Sequence, residues 1–151
     1  MLLPVYLGLL ESAEAALAAT FRLVGNGHAD EADVFHTCHT LAEQCDEHVT
    51  ALAPAIERYG RADAAEPEHH FDALGSARSG PLGLLRDLHD VYVLGSLVEM
   101  SWILLQQAAQ ALIDDDLGQI VSSSLKQTEV QLAWLRTRLK AAAPQALLVA
   151  R

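Results

Sequence analysis

Positive charge is scarce in this chain. Of its 151 residues, ten are Lys or Arg and twenty are Asp or Glu, so the formal net charge at pH 7 is -10. Proteins bind nucleic acids and anionic lipid surfaces largely through Lys and Arg side chains that neutralise phosphate charge. The composition therefore argues against nucleic acid and against anionic membranes as partners.

Long apolar runs are also missing. No uninterrupted apolar run reaches the roughly 18 residues that a membrane-spanning helix needs. The apolar residues 1–10 lack the basic segment that opens a signal peptide, and their pattern continues into a longer amphipathic helix. We therefore expect a soluble protein in which residues 1–10 belong to the mature fold.

Cysteine is rare, with Cys38 and Cys45 as the only two in the chain. They are seven residues apart in one predicted helix, a separation of roughly 10 Å along its axis. A disulfide needs Cα atoms less than about 7 Å apart, so the two residues cannot be bridged within a helix. We expect two buried free thiols and a location in the reducing cytoplasm.

The chain is rich in apolar residues that recur with the period of an α-helix. Hydrophobic residues make up 51% of the sequence, and nothing in it resembles a strand. The spacing predicts four helices, at residues 3–24, from about 30–33 to 60, at 81–113, and from just after Asp116 to Pro144. The first helix is expected to stop at Gly25, Asn26 and Gly27, which tolerate left-handed backbone. We predict an all-α four-helix bundle with residues 1–151 in a single domain.

Residues 60–80, between the second and third helices, form a long loop that contains His69 and His70, which we expect to be solvated. The other two connections are short. A loop of this length can cross the whole bundle and make the second and third helices parallel, as the long crossover of ferritin-like folds does. We prefer this arrangement, although a short helix at residues 68–74 would suit an up-down-up-down bundle equally well.

Polar residues interrupt the apolar stripes near the middle of each predicted helix. Glu14 lies at the centre of the first stripe and His48 within the second, with Cys45 three residues before it. Glu99 falls within the broad stripe of the third helix and Glu129 toward the edge of the fourth. A buried acid needs a partner or a metal ion. Carboxylates and imidazole at one depth suit iron, manganese or zinc, and a nearby thiolate favours zinc.

These positions resemble the ferritin-like superfamily of di-iron and di-manganese carboxylate bundles. That family uses one Glu from each of two helices and a Glu-x-x-His motif from each of the other two. The resemblance makes Glu14 and Glu99 the single glutamates, His48 a motif histidine and Glu129 a motif glutamate.

Two of the six family positions hold other residues. Cys45 stands where the motif of the second helix has glutamate, and Leu132 stands where that of the fourth has histidine. The resemblance therefore implies a degenerate site that binds one iron, manganese or zinc ion through Glu14, His48, Glu99 and either Glu129 or Cys45. A metal-free hydrogen-bonded cluster of the same residues is equally compatible with the sequence. No substrate or reaction follows from either.

The third helix is apolar nearly all round, with Val93, Leu94, Leu97 and Leu104 outside its main stripe. A bundle helix normally shows solvent a polar face, and self-association commonly covers a surplus apolar one. We therefore expect a homodimer through the third helix. The apolar tail at residues 144–151 is expected to dock on its own bundle or in the groove of a partner. The alternative function is thus a non-catalytic dimeric interaction subunit that has lost the metal site.

Overall fold

The computed structural model describes residues 1–61 and 73–150, which form four long helices and no strand. The helices are α1 (Leu3–Gly27), α2 (Ala32–Tyr59), α3 (Gly80–Leu112) and α4 (Asp115–Pro144), followed by a π-helical turn (Gln145–Val149). The prediction of an all-α four-helix bundle is confirmed.

The helices pack in a four-membered ring around one core. α1 lies against α2 and α3, and α4 lies against α3 and α2. Buried leucines of all four helices fill the interior, together with Phe21 and Trp102. Arg61, just after α2, donates to Glu11 in the first half of α1, so α1 and α2 run antiparallel.

A buried carboxylate fixes the opposite end of the bundle. Asp87 of α3 is fully buried and accepts a hydrogen bond at 2.8 Å from His28 Nε2, just beyond α1. It also accepts from the backbone N–H of Arg78 at 2.9 Å and from the guanidinium of Arg78 at 2.8 Å. The end of α1, the start of α3 and the segment before α3 are therefore joined through one side chain.

The two ends of the connection between α2 and α3 lie at opposite ends of the bundle. Arg61 contacts the first half of α1, whereas Ala77 packs against Gly27 at its end. Between them, the backbone N–H of Leu74 donates to Thr20 Oγ1 at 3.2 Å. Residues 62–72 of the connection are outside the described ranges, so the crossover stays a prediction, as does the solvated position of His69 and His70.

The end of α1 differs from the prediction. The helix continues through Gly25 and Asn26 to Gly27, and none of the three has positive φ. Gly25 instead packs closely against α2, because a Cβ atom added there would lie 3.1 Å from Cβ of Cys38. A left-handed helix end occurs where the sequence does not suggest one, at Ile113 with φ 54°.

The C-terminal segment docks partly on its own bundle. The π-helical turn packs against α4 and α3, and Ala146 within it is buried. Leu147, Leu148 and Val149 are exposed. The start of the tail therefore docks on its own bundle, which was one of the two expected positions. Its three large apolar side chains stay accessible.

Candidate functional site

The middle of the bundle contains a carboxylate that receives two hydrogen bonds from side chains. Glu14 of α1 is fully buried, because it occupies a core position between Leu10 and Leu17. Its Oε1 accepts from His48 Nδ1 of α2 at 2.9 Å and from Trp102 Nε1 of α3 at 2.8 Å. One oxygen atom thereby joins three helices.

His48 is hydrogen-bonded through both ring nitrogens. Its side chain is 4% exposed, and Nε2 lies 2.7 Å from Oε1 of Gln127 on α4. Burial acts to lower the pKa of His48, but the hydrogen bond to Glu14 and the charge of Glu14 outweigh it, so the pKa is raised above its usual value. With an oxygen acceptor at each nitrogen, the imidazole has the surroundings of a protonated ring, paired with Glu14.

Cys45 lies one helical turn from His48 and is fully buried. Burial raises the pKa of its thiol, and the charge and hydrogen bonding of Glu14 raise it further. Gln131 Nε2 is 3.9 Å from its sulfur. The second oxygen of Glu14, Oε2, is buried without a hydrogen-bond partner in the part of the chain that the structure describes.

Two pairs of polar side chains join α2 to α4. His48 contacts Gln127, and four residues away on each helix Gln44 accepts from Gln131 Nε2 at 3.0 Å. This spacing shows that α2 and α4 run antiparallel. A solvent-open groove of about 330 Å³ lies beside the first pair. Its lining is mostly polar or small, with residues Glu47, His48, Ala51, Gln119, Ile120, Ser123, Ser124 and Gln127.

The five predicted metal ligands do not converge. Glu14, His48 and Cys45 are neighbours, but Glu99 is only half-buried and Glu129 is exposed. Within residues 1–61 and 73–150, no group of three or more His, Cys, Asp or Glu side chains is placed to hold a metal ion. As arranged here, these residues do not fit the ligand set that the ferritin-like resemblance implies.

Two features of α3 and α4 explain this arrangement. Trp102, three residues beyond Glu99 on α3, supplies the group that reaches Glu14. On α4, Leu132 occupies the histidine position of the family motif and packs against Gly95, where an added Cβ would lie 3.0 Å from Leu132 Cδ2. An indole from α3 and an aliphatic side chain from α4 thus stand where the ferritin-like resemblance implies further metal ligands from these two helices.

Three residues that the sequence did not bring to attention complete the site: Trp102, Gln127 and Gln131. Trp102 lies on the apolar stripe of the third helix and so reads as a core residue, although a buried indole N–H usually has a hydrogen-bond partner. Gln127 and Gln131 are four residues apart on α4, a spacing that places two side chains on one helix face.

Comparison with known proteins gave no match. No protein-family model fits the chain, and neither the curated proteins nor the solved structures include one that is significantly similar to it.

Proposed function

We propose that this chain is a non-catalytic helical-bundle protein that acts by association, on a ferritin-like scaffold whose centre is metal-free. In this proposal Glu14, His48 and Trp102 form a structural cluster that sets the relative positions of the helices. The apolar outer face of α3 is the surface of association. The two free cysteines fit a protein of the reducing cytoplasm.

The observation that carries the proposal is that three of the four polar side-chain atoms of Glu14 and His48 are already hydrogen-bonded. Glu14 Oε1 already receives two N–H groups, and both nitrogens of His48 are hydrogen-bonded. A histidine ligand must offer a free lone pair, and a ring that is hydrogen-bonded at both nitrogens has none available. A metal ion could use His48 as a ligand only after the ring gave up one of these hydrogen bonds.

The outer face of α3 supports the association role. An 18-residue window of this helix is apolar enough to cross a membrane by length and composition, yet only 33% of the window is buried in the bundle. The exposed apolar residues include Val93, Met100 and Leu104. Apolar surface on this scale commonly marks an interaction site.

Elemental analysis tests the metal-free centre. Untagged protein, purified without chelators, is compared with the Glu14→Ala/Glu99→Ala variant and with Glu129→Ala as an exposed control. We expect no stoichiometric iron, manganese or zinc in any of the three. We also expect no rise in the melting temperature of the native chain when Zn²⁺, Mn²⁺ or anaerobic Fe²⁺ is added, because a ligand that binds only the folded state would raise it.

A second candidate function is the binding of a single metal ion. The state of one oxygen atom favours it. Glu14 Oε2 is buried and has no hydrogen-bond partner among the described residues, and the Glu14 side chain is a neighbour of Cys45. A zinc ion at this oxygen would use Glu14 and the deprotonated forms of Cys45 and His48. About one zinc per protomer in the native chain, absent from the Glu14 variant, would establish this candidate and refute the metal-free centre.

A further inference from the structure

The outward face of α3 carries a continuous apolar stripe of four residues, Val93, Leu97, Met100 and Leu104. Val93 is 60% exposed, Met100 52% and Leu104 45%, while Leu97 is half-buried. Their spacing of four, three and four residues places them on one side of the helix. Trp102 lies on the opposite, core-facing side and is fully buried. The α3 stripe is therefore separate from the surface that holds the bundle together.

The stripe is free of charge in a strongly acidic chain. Between Val93 and Leu112 the only charged residue is Glu99, which lies about a third of a turn away from the centre of the stripe. Two copies of a protein with a net charge of -10 repel each other over most of their surfaces. They can meet here without bringing like charges together.

The order of residues along the stripe is self-complementary when two copies are antiparallel. About a point between Val98 and Glu99, the four residues of the stripe form two pairs of apolar side chains. Val93 faces Leu104, and Leu97 faces Met100. A two-fold symmetric interface has this property, because residue i of one copy contacts residue j of the other and the reverse.

The charged residues at the start of α3 favour the antiparallel arrangement over the parallel one. In the antiparallel register Asp90 lies opposite Gln107, and Arg86 lies opposite Ala111. A parallel pair would place Asp90 against Asp90 and Arg86 against Arg86. It would also place the two helix dipoles side by side in the same direction, which is unfavourable. In an antiparallel pair the dipoles point in opposite directions and attract each other.

We infer that the α3 stripe binds a second copy of this chain, with the two α3 helices antiparallel about a two-fold axis between Val98 and Glu99. The inference specifies the partner in the association role proposed above and rests on that role. It concerns the surface of α3 only, so the metal content of the centre tests the rest of the proposal independently.

Cysteine crosslinking of the full chain tests the register. In the inferred dimer the two copies of residue 93 are roughly 16 Å apart along the axis, whereas residue 93 lies beside residue 104 of the partner. We expect the Val93→Cys/Leu104→Cys variant to give a covalent dimer on mild oxidation, and Val93→Cys alone to give none. The native chain is the control for the buried Cys38 and Cys45. Efficient crosslinking of Val93→Cys alone would indicate a parallel pair and overturn the inference.

Light scattering after size exclusion tests the partner. We expect twice the protomer mass for the native chain and the protomer mass for Leu97→Asp/Met100→Asp, with unchanged helix content by circular dichroism. Val130→Asp, at a 63% exposed position on α4, is the matched control and should stay dimeric. A native chain that is monomeric well above micromolar concentration overturns the inference. A monomer that binds neutral lipid vesicles through this face overturns it as well. A monomer without metal would still leave the metal-free centre in place.

Discussion

His48 Nδ1 lies 2.9 Å from Glu14 Oε1, and both side chains are removed from water, with exposures of 4% and 0%. Taking two charges out of water costs several kcal/mol for each, and their attraction offsets this only when further hydrogen bonds complete the geometry. Trp102 supplies such a bond to Glu14, and Gln127 supplies one to His48. The pair is therefore sensitive to the loss of either member alone.

The first prediction concerns the loss of Glu14. Replacing Glu14 by Ala leaves the imidazolium of His48 and the indole N–H of Trp102 without an acceptor in the core. Removing one member of a buried pair costs about 3–5 kcal/mol, and we expect a decrease of that size in the free energy of unfolding. Urea unfolding followed by circular dichroism, at fixed protein concentration, measures it.

Glu129→Ala and a double variant are the controls for this prediction. Because Glu129 is exposed, its replacement should change stability by less than about 0.5 kcal/mol. The Glu14→Met/His48→Met variant should be less destabilised than the sum of its two single variants, since no charge is left unpaired. An additive double variant would show that the two residues act independently.

The second prediction is a pH dependence that originates at His48. Its pKa in the folded state is raised above the ordinary value of about 6.5. A raised folded-state pKa contributes stability that is fully present below the unfolded-state pKa and is lost as the pH rises through the folded-state value. The stability advantage of the native chain over His48→Gln should therefore be greatest in weak acid and shrink in weak alkali.

Parallel urea titrations of the two proteins across that pH range provide the measurement. The comparison cancels the contributions of the other histidines, which both proteins share. An advantage that stays constant or grows with pH would mean that His48 is neutral in the folded protein.

The third prediction concerns Asp87, which joins three segments at one end of the bundle. Asp87→Ala leaves His28 and Arg78 without their shared buried partner, so we expect a loss of about 3–5 kcal/mol. Asp90→Ala removes the other carboxylate that contacts Arg78, and Asp90 is 48% exposed. An exposed pair contributes less than about 1 kcal/mol, so this control should unfold almost as the native chain does. Equal losses in the two variants would contradict the role of Asp87.

The fold could be predicted from the sequence because the apolar period is clear in α1, α2 and α4. The centre of the site could be predicted in part, since Glu14 and His48 each interrupt a well-defined apolar stripe. Glu99 was misplaced for a physical reason. α3 is apolar nearly all round, so periodicity does not define which side is buried, and a rotation by less than a quarter turn brings Trp102 to Glu14 in its place.

The partners of Asp87 have no comparable signal in the sequence. Asp87 lies on the same face of α3 as Leu84, Leu88 and Val91, which are buried. Its partners come from His28, in the turn after α1, and from Arg78, in the segment before α3. A pairing between residues 59 positions apart depends on how the helices pack, which local pattern does not encode.

The fourth prediction concerns the left-handed residue that ends α3. Ile113 has φ 54°, a conformation that costs a β-branched residue about 1–3 kcal/mol, and its side chain is 84% exposed, so little burial compensates. Ile113→Gly removes the strain but adds about 0.5–1 kcal/mol of backbone entropy loss on folding. We expect a net gain of about 1 kcal/mol, seen as a rise in melting temperature of about 2–4 °C for a chain of this length. Ile113→Val keeps the branched Cβ and should give no gain. A melting temperature that falls in Ile113→Gly would mean that the strain at Ile113 is smaller than the backbone entropy that glycine loses on folding.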